Sequence, residues 1–336
     1  MNNPTRFISD IIFDKEVNLV SFPIKTNHKF WDSFVKIGSS HYIIPLLYYK
    51  LKERGYLKLL NDQLVSYLKE IYNQNLKRNE SLVDEVYDIS KVLSDNNIDH
   101  VFLKGAALIK SLYIEKVGVR MLGDIDILVK EKDIEKVEQL FISLNYRPLH
   151  EFNFCERHIS RLINDKKVFG IEFHTQLIER SCEDLIANDF FIRKQKNRQI
   201  PSYNDLLFHI ILSYQKDDFG SAYASFSFRT LFDVYSIEKS VEKLDQSLSS
   251  SIHTQKIKTV MSEFSIIQYK TPKRLFAFNL RLKLKKASVI FKKIDNLLSN
   301  IFVQFFLLNI RKKQIRVFIS NKNYRDYVFK KIGTKI

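Results

Sequence analysis

The apolar positions of this chain keep a helical period through most of its length and drop to a strand period in one central stretch. In SLVDEVYDISKVL, from Ser81, the residues Leu82, Val86, Ile89 and Leu93 recur at spacings of three and four, which predicts a helix with one buried face. Asn96 and Asn97 follow as turn formers that stop it. The whole span from 27 to 98 reads as helices. HVFL, from His100 to Leu103, is then short and apolar, as a buried strand is. Gly105 and AALIKSLY open a helix, and a loop with Gly118, Arg120 and Gly123 leads to DIDILV, Asp124 to Val129, a second strand. Asp133 opens a further helix with an acid where the helix dipole favours negative charge, and VFGIEF, Val168 to Phe173, reads as a third strand.

This order predicts an α+β fold: a small mixed β-sheet core over 99–200, with an N-terminal helical region over 1–98 and a helical subdomain over 201–269. Ser202 is placed to cap a helix carrying DLLFHIILSY, and another helix is expected from about Phe228 to Val241. The remaining region, 270–336, is a basic amphipathic segment: RLKLKKASVIFKKI, then LLSNIFVQFFLLNI, then RKKQIR. Its longest apolar part, Leu297 to Ile310, falls short of the ~20 residues a bilayer span needs. It suits either an ordinary packed helix or one lying in a membrane interface.

Composition sharpens this in three ways. With 8 Gly and 6 Pro, a turn-rich all-β fold is disfavoured, and 45% hydrophobic residues exclude a disordered chain. Cys155 and Cys182 fit no metal-ligand spacing and are too few for a disulfide framework, so reduced thiols of a cytosolic protein are expected. The N-terminal residues show no basic start followed by a long apolar run, so no signal peptide is expected, and no apolar stretch is long enough for a clear transmembrane helix. The formal charge of +16 is concentrated at one end: from Lys270 onward 18 Lys and Arg face only Asp295 and Asp326, and the rest of the chain is formally neutral. Such a segment calls for an anionic partner, either RNA or an anionic membrane surface, the latter placing the protein at the inner face of the membrane.

The candidate chemistry lies in the central strands. Residues two apart on a strand share a face, so Asp124 and Asp126 point one way while Ile125 and Ile127 point into the core. Two carboxylates side by side repel unless a cation sits between them, and hard divalent ions such as Mg²⁺ or Mn²⁺ take oxygen ligands of this kind together with nucleotide phosphates. In GIEFH, Glu172 and His174 share the face opposite Ile171 and Phe173, and a third carboxylate there could take a proton from an attacking hydroxyl. A solvated acidic face is the plainer reading of Asp-X-Asp by itself.

The segments FLKGAAL, then R-x-x-x-D-I-D-I-L-V, then I-E-F-H resemble the uncharacterised bacterial nucleotidyltransferases of the DNA polymerase beta superfamily, the group known as nucleotidyltransferase family 5. HYIIPLLYYKL, from His41, is similar to that group's helical lead-in, and SFRTLFDVYSI, from Ser227, to its later helix; together these cover roughly residues 30 to 240. The resemblance implies a small nucleotidyltransferase sheet and a metal-dependent transfer of a nucleoside monophosphate from a nucleoside triphosphate to an acceptor hydroxyl; if the basic tail docks on an anionic membrane, a lipid-linked glycan is an expected acceptor. It implies Asp124 and Asp126 as metal ligands and Glu172 as the third acid. It also matches Lys104, Gly105 and Arg120 to nucleotide-contacting positions, with His174 beside them to touch a phosphate or orient Glu172. Where the wider superfamily carries Gly-Ser or Gly-Gly, this chain has Gly105–Ala106. An inactive relative that binds RNA or a membrane through the basic tail is the competing expectation. Arg229 and Asp233, four apart, are expected to pair locally, and His209 and Trp31 to sit in the core.

Overall fold

The structure, a computed structural model, describes residues 3–17, 22–23, 27–150, 152–154, 157–178 and 187–333; Cys155 and Cys182 lie outside the described residues. Four helices come first: α1 (Pro4–Ile12), α2 (His28–Ser40), α3 (Ile44–Glu53) and α4 (Asp62–Asp95). The starts of α1, α2 and α4 follow from sequence, because Asn3, Asn27 and Asn61 each accept a hydrogen bond from a first-turn backbone N–H that would otherwise lack a partner. α4 is the long strut of the molecule, and Leu82, Val86, Ile89 and Leu93 are all buried on one side of it, as their spacing predicts. Asn97 then turns the chain with a positive φ of 56°.

The sheet follows. In chain order the elements are β1 (His100–Phe102), α5 (Lys104–Ile109), β2 (Asp124–Val129), α6 (Ile134–Ser143), β3 (Arg147–Pro148), β4 (Leu162–Ile163) and β5 (Gly170–His174). Spatially the strands run β1-β2-β5-β4-β3. β2 and β5 are parallel, and the other pairs are antiparallel. β3 and β4, two residues each, are too short to show alternation and are absent from the expected elements. The third expected strand begins two residues late, at Gly170, and Val168 is exposed.

The helices after the sheet are α7 (Ala187–Ile192), α8 (Tyr203–Leu212), α9 (Gly220–Tyr223), α10 (Phe228–Glu238), α11 (Gln246–Ser250), α12 (Ile252–Glu263), α13 (Phe276–Ala287), α14 (Val289–Phe306), α15 (Leu308–Ser320) and α16 (Lys322–Gly333). Ser202 caps α8: its hydroxyl accepts from the Asp205 N–H (3.2 Å) and donates to the Asp205 carboxylate (2.6 Å). One continuous hydrophobic core runs from Phe7 to Leu282 and takes in side chains of the N-terminal helices, both faces of the sheet, and α8, α10 and α12. Trp31 lies within it, and the buried His209 ring bonds the Leu177 carbonyl oxygen through Nε2 (3.0 Å). α13 to α16 contribute little: their buried apolar side chains among the described residues are Leu282, Val303 and Tyr324.

Candidate active site

Strand alternation and register together build the site. Ile125 and Ile127 are fully buried on one face of β2, which turns Asp124 and Asp126 to the other. The parallel pairing sets Asp126 directly beside Glu172 and Ile125 beside Ile171, so the acids of two strands fall on one face. Ligand atoms of Asp126, Glu172 and His174 all lie within 4.8 Å of one another. Asp124 stands outside that compact trio and is joined to it by Arg161. The Arg161 guanidinium donates to Asp124 Oδ2 (2.5 Å) and, through Nη2 and Nε, to Glu172 Oε1 (2.7 and 2.9 Å).

Lys104 meets the acids from β1. The chain leaves that strand at Leu103, whose N–H donates to the Asp126 carbonyl (2.9 Å). Lys104 itself has a φ of 43°, in the left-handed region that a residue with a Cβ enters only at a cost of ~1 kcal/mol or more. From there its Nζ donates to Asp126 Oδ1 at 2.6 Å. The same oxygen accepts a bond from Nε2 of the buried His174 ring at 2.8 Å, while Glu172 Oε2 is 3.8 Å from that nitrogen. His174 thus orients Asp126 rather than Glu172, and its burial leaves it no open approach to a phosphate.

Three carboxylates share Lys104 and Arg161 as their ion-pair partners, with Arg78 also within electrostatic reach of Asp124. Burial, together with the charges of Asp126 and Glu172, pushes the Asp124 carboxyl up to about 6. Burial opposes ionisation of Asp126 too, but Lys104 and the His174 hydrogen bond hold it well below the usual carboxylate range. Glu172 is lowered despite its burial and the neighbouring Asp126, through its bonds to Arg161. Burial holds His174 down to about 4, so its ring is neutral at pH 7 and Nε2–H donates to the carboxylate. A cluster of carboxylates with oxygen donors on adjacent strands is of the kind that suits a hard divalent cation.

Arg120 is placed differently from its expected phosphate role. Its buried guanidinium faces Asp233 on α10, with Nε 3.2 and 3.1 Å from the two carboxylate oxygens and Nη2 3.0 Å from Oδ2. The Tyr113 hydroxyl donates to the same carboxylate at 2.9 Å. The expected Arg229–Asp233 pair is therefore not formed; Arg229 lies over the Tyr42 ring at 5.2 Å. Gly105 is a packing residue, since a Cβ there would meet Arg120 Nη1 and Leu122 Cδ2 at 2.4 Å. The loop between α5 and β2 is held from α4. Asn75 donates to the carbonyls of Gly118 and Arg120 (2.8 and 3.1 Å), Asn79 to those of Val117 and Arg120 (2.5 and 2.8 Å), and Arg78 to that of Leu122 (2.6 Å).

Sequence reading missed Arg161 and this clamp. Polar residues at 75, 78 and 79, on the one side of a long helix, were the available signal for the clamp. Nothing in the local pattern marks Arg161, because β4 is too short to assign. Burial raises the Asp218 carboxyl, and Lys104, Arg229 and Arg157 lie within electrostatic reach of it. Arg229 makes no ion pair among the described residues.

A strand pair carrying clustered acids, faced by lysine and arginine, in a small mixed sheet wrapped by helices, is the arrangement expected of the nucleotidyltransferase class. The chain belongs to the family described as uncharacterised nucleotidyltransferases, whose model matches residues 27–256. A search of curated proteins found no match. Among solved structures, the solution structure of the antibiotic-resistance factor ANT(2'')-Ia is similar over 55% of this chain and 92% of its own, at 10% identity and a TM-score of 0.37.

Proposed function

We propose that the protein transfers a nucleoside monophosphate from a nucleoside triphosphate to an acceptor hydroxyl, with release of pyrophosphate. The observation that carries this reading is the register that sets Asp126 beside Glu172, with Asp124 tied to them through Arg161. Asp124 and Asp126 would hold Mg²⁺ or Mn²⁺, and Glu172 completes the set or takes the acceptor proton. Such an ion, when bound, neutralises charge on the transferring phosphoryl group.

The chain's own residues supply the rest. His174 keeps the Asp126 carboxylate in one orientation, which spares reorganisation when a ligand arrives. Lys104, already at the acids, is within reach to steady a triphosphate, as is Arg161. Arg229, half-buried over Tyr42 with no carboxylate paired to it among the described residues, adds a cation for a phosphate group at the rim. The Arg120–Asp233 pair fixes the loop that delivers β2, so Arg120 acts by positioning.

A panel of nucleoside triphosphates titrated with Mg²⁺ into wild type and Asp126→Asn tests this. Metal-dependent binding should weaken by at least about tenfold in the variant. Asp124→Ala should fold and lose turnover on acceptors, beginning with sugar hydroxyls of glycan precursors. Wild-type turnover by Asp124→Ala would refute the assignment, and absence of triphosphate binding by the wild type would favour an inactive RNA-binding protein of the same fold.

A further inference from the structure

Helix α14 is turned inside out. Its inner side is mostly polar: Asp295 and Ser299 are buried beside Val303, and the Asp295 carboxylate accepts from Arg281 and pairs with Lys285 of α13 (2.8 and 2.9 Å). Arg281 also donates to the Ser299 hydroxyl and to the Ala222 carbonyl (2.5 and 2.7 Å), and Tyr223 donates to Asn300 (2.6 Å). These bonds fix the rotation of the helix and leave Ile290, Ile294, Leu297, Leu298, Ile301 and Phe305 outward. They are 72%, 53%, 61%, 60%, 49% and 66% exposed. Spacings of four, three, four and four along 290, 294, 297, 301 and 305 place them in one continuous stripe. A globular helix shows the reverse arrangement, and an apolar surface of this extent needs an occupant.

We propose that this face docks on an anionic lipid bilayer, with α14 lying in the plane of the interface. The charge around the stripe identifies the occupant. Exposed Lys293 borders the stripe on the same helix, and exposed Arg311, Lys312, Lys313 and Arg316 follow on α15. From Lys270 onward 18 basic residues face two acids. Lysine stems can reach head groups while the leucines and isoleucines enter the acyl boundary. A second copy would bring the same positive excess against itself. RNA would engage the cations but leave the aliphatic stripe in water. No helix among the described residues is long and apolar enough to cross a membrane, so α14 lies on the surface. The proposal is independent of the transfer reaction.

Flotation of the full chain tests it, using vesicles of phosphatidylcholine alone and of phosphatidylcholine with phosphatidylglycerol in equal parts. Wild type should float at least about tenfold more with the anionic vesicles, and Leu297→Glu/Ile301→Glu should lose that binding with an unchanged circular dichroism spectrum. Should that variant misfold, Lys293→Glu/Lys312→Glu provides the same test through charge. Equal flotation with neutral vesicles, or undiminished flotation of either folded variant, overturns the proposal. So does a wild-type dimer in light scattering that Leu297→Glu/Ile301→Glu dissociates, or RNA binding in place of vesicle binding.

Discussion

Replacing Asp233 with alanine leaves the Arg120 guanidinium buried without its counter-ion. The side chains are 12% and 3% exposed, and the contact uses both carboxylate oxygens. Breaking such a pair from one side costs ~3–5 kcal/mol, because the remaining charge keeps its desolvation penalty. The Tyr113 hydroxyl, fully buried and donating to the same carboxylate, loses its acceptor for another ~1 kcal/mol. With a urea slope of ~3 kcal/mol per molar, a loss of ~4–6 kcal/mol lowers the midpoint by ~1–2 M. The double variant Arg120→Met/Asp233→Ala should recover a large part of that loss, since no unpaired charge remains. Urea titrations of the four species, followed by circular dichroism, give the cycle. A fall below ~1 kcal/mol in Asp233→Ala, or plain additivity, would refute the reasoning. A weaker triphosphate affinity in Arg120→Met at unchanged stability would return Arg120 to the nucleotide.

Three further outcomes are expected. Gly105→Ala, whose new methyl would lie 2.4 Å from Arg120 Nη1 and Leu122 Cδ2, should cost ~1–3 kcal/mol, read as a lower thermal midpoint. Lys104→Gly should melt above Lys104→Ala by the equivalent of ~1 kcal/mol, because only glycine holds a φ of 43° without strain, while both variants lose turnover. Burial depresses His100 to about 4 and His209 to about 3, so both are neutral in the folded protein above those values. Unfolded histidine takes its proton near ~6.5, so the unfolded chain binds more protons below that pH, and stability should be full above it and fall as the pH drops toward 4. Each ring contributes up to ~3 kcal/mol to that fall, and His209→Gln should flatten the midpoint-versus-pH curve.

Much of the fold was legible because it is periodic. The buried face of α4, the six residues of β2, and the cap at Ser202 are local patterns enforced by side-chain geometry within a few residues. The convergence of Asp126 and Glu172 was half legible: alternation assigns each to a face, but only the parallel register sets the two side by side. Partner choice was not legible at all. Arg120 had Asp233 waiting 113 positions away, and the nearer Arg229 went to Tyr42 instead. Arg161 reached the acids from the position just ahead of a two-residue strand, too short to leave a pattern.

Sequence alone determined the longer periodic elements, the faces their side chains take, the acidic pair on β2 and the basic excess after Lys270, because each depends on neighbours within a turn or a strand. Tertiary structure decided which charges meet and which way α14 turns its apolar side. Those outcomes depend on bonds between residues far apart in the chain, such as Arg281 to Ala222 and Arg120 to Asp233, and no short-range pattern encodes a partner that only packing brings near.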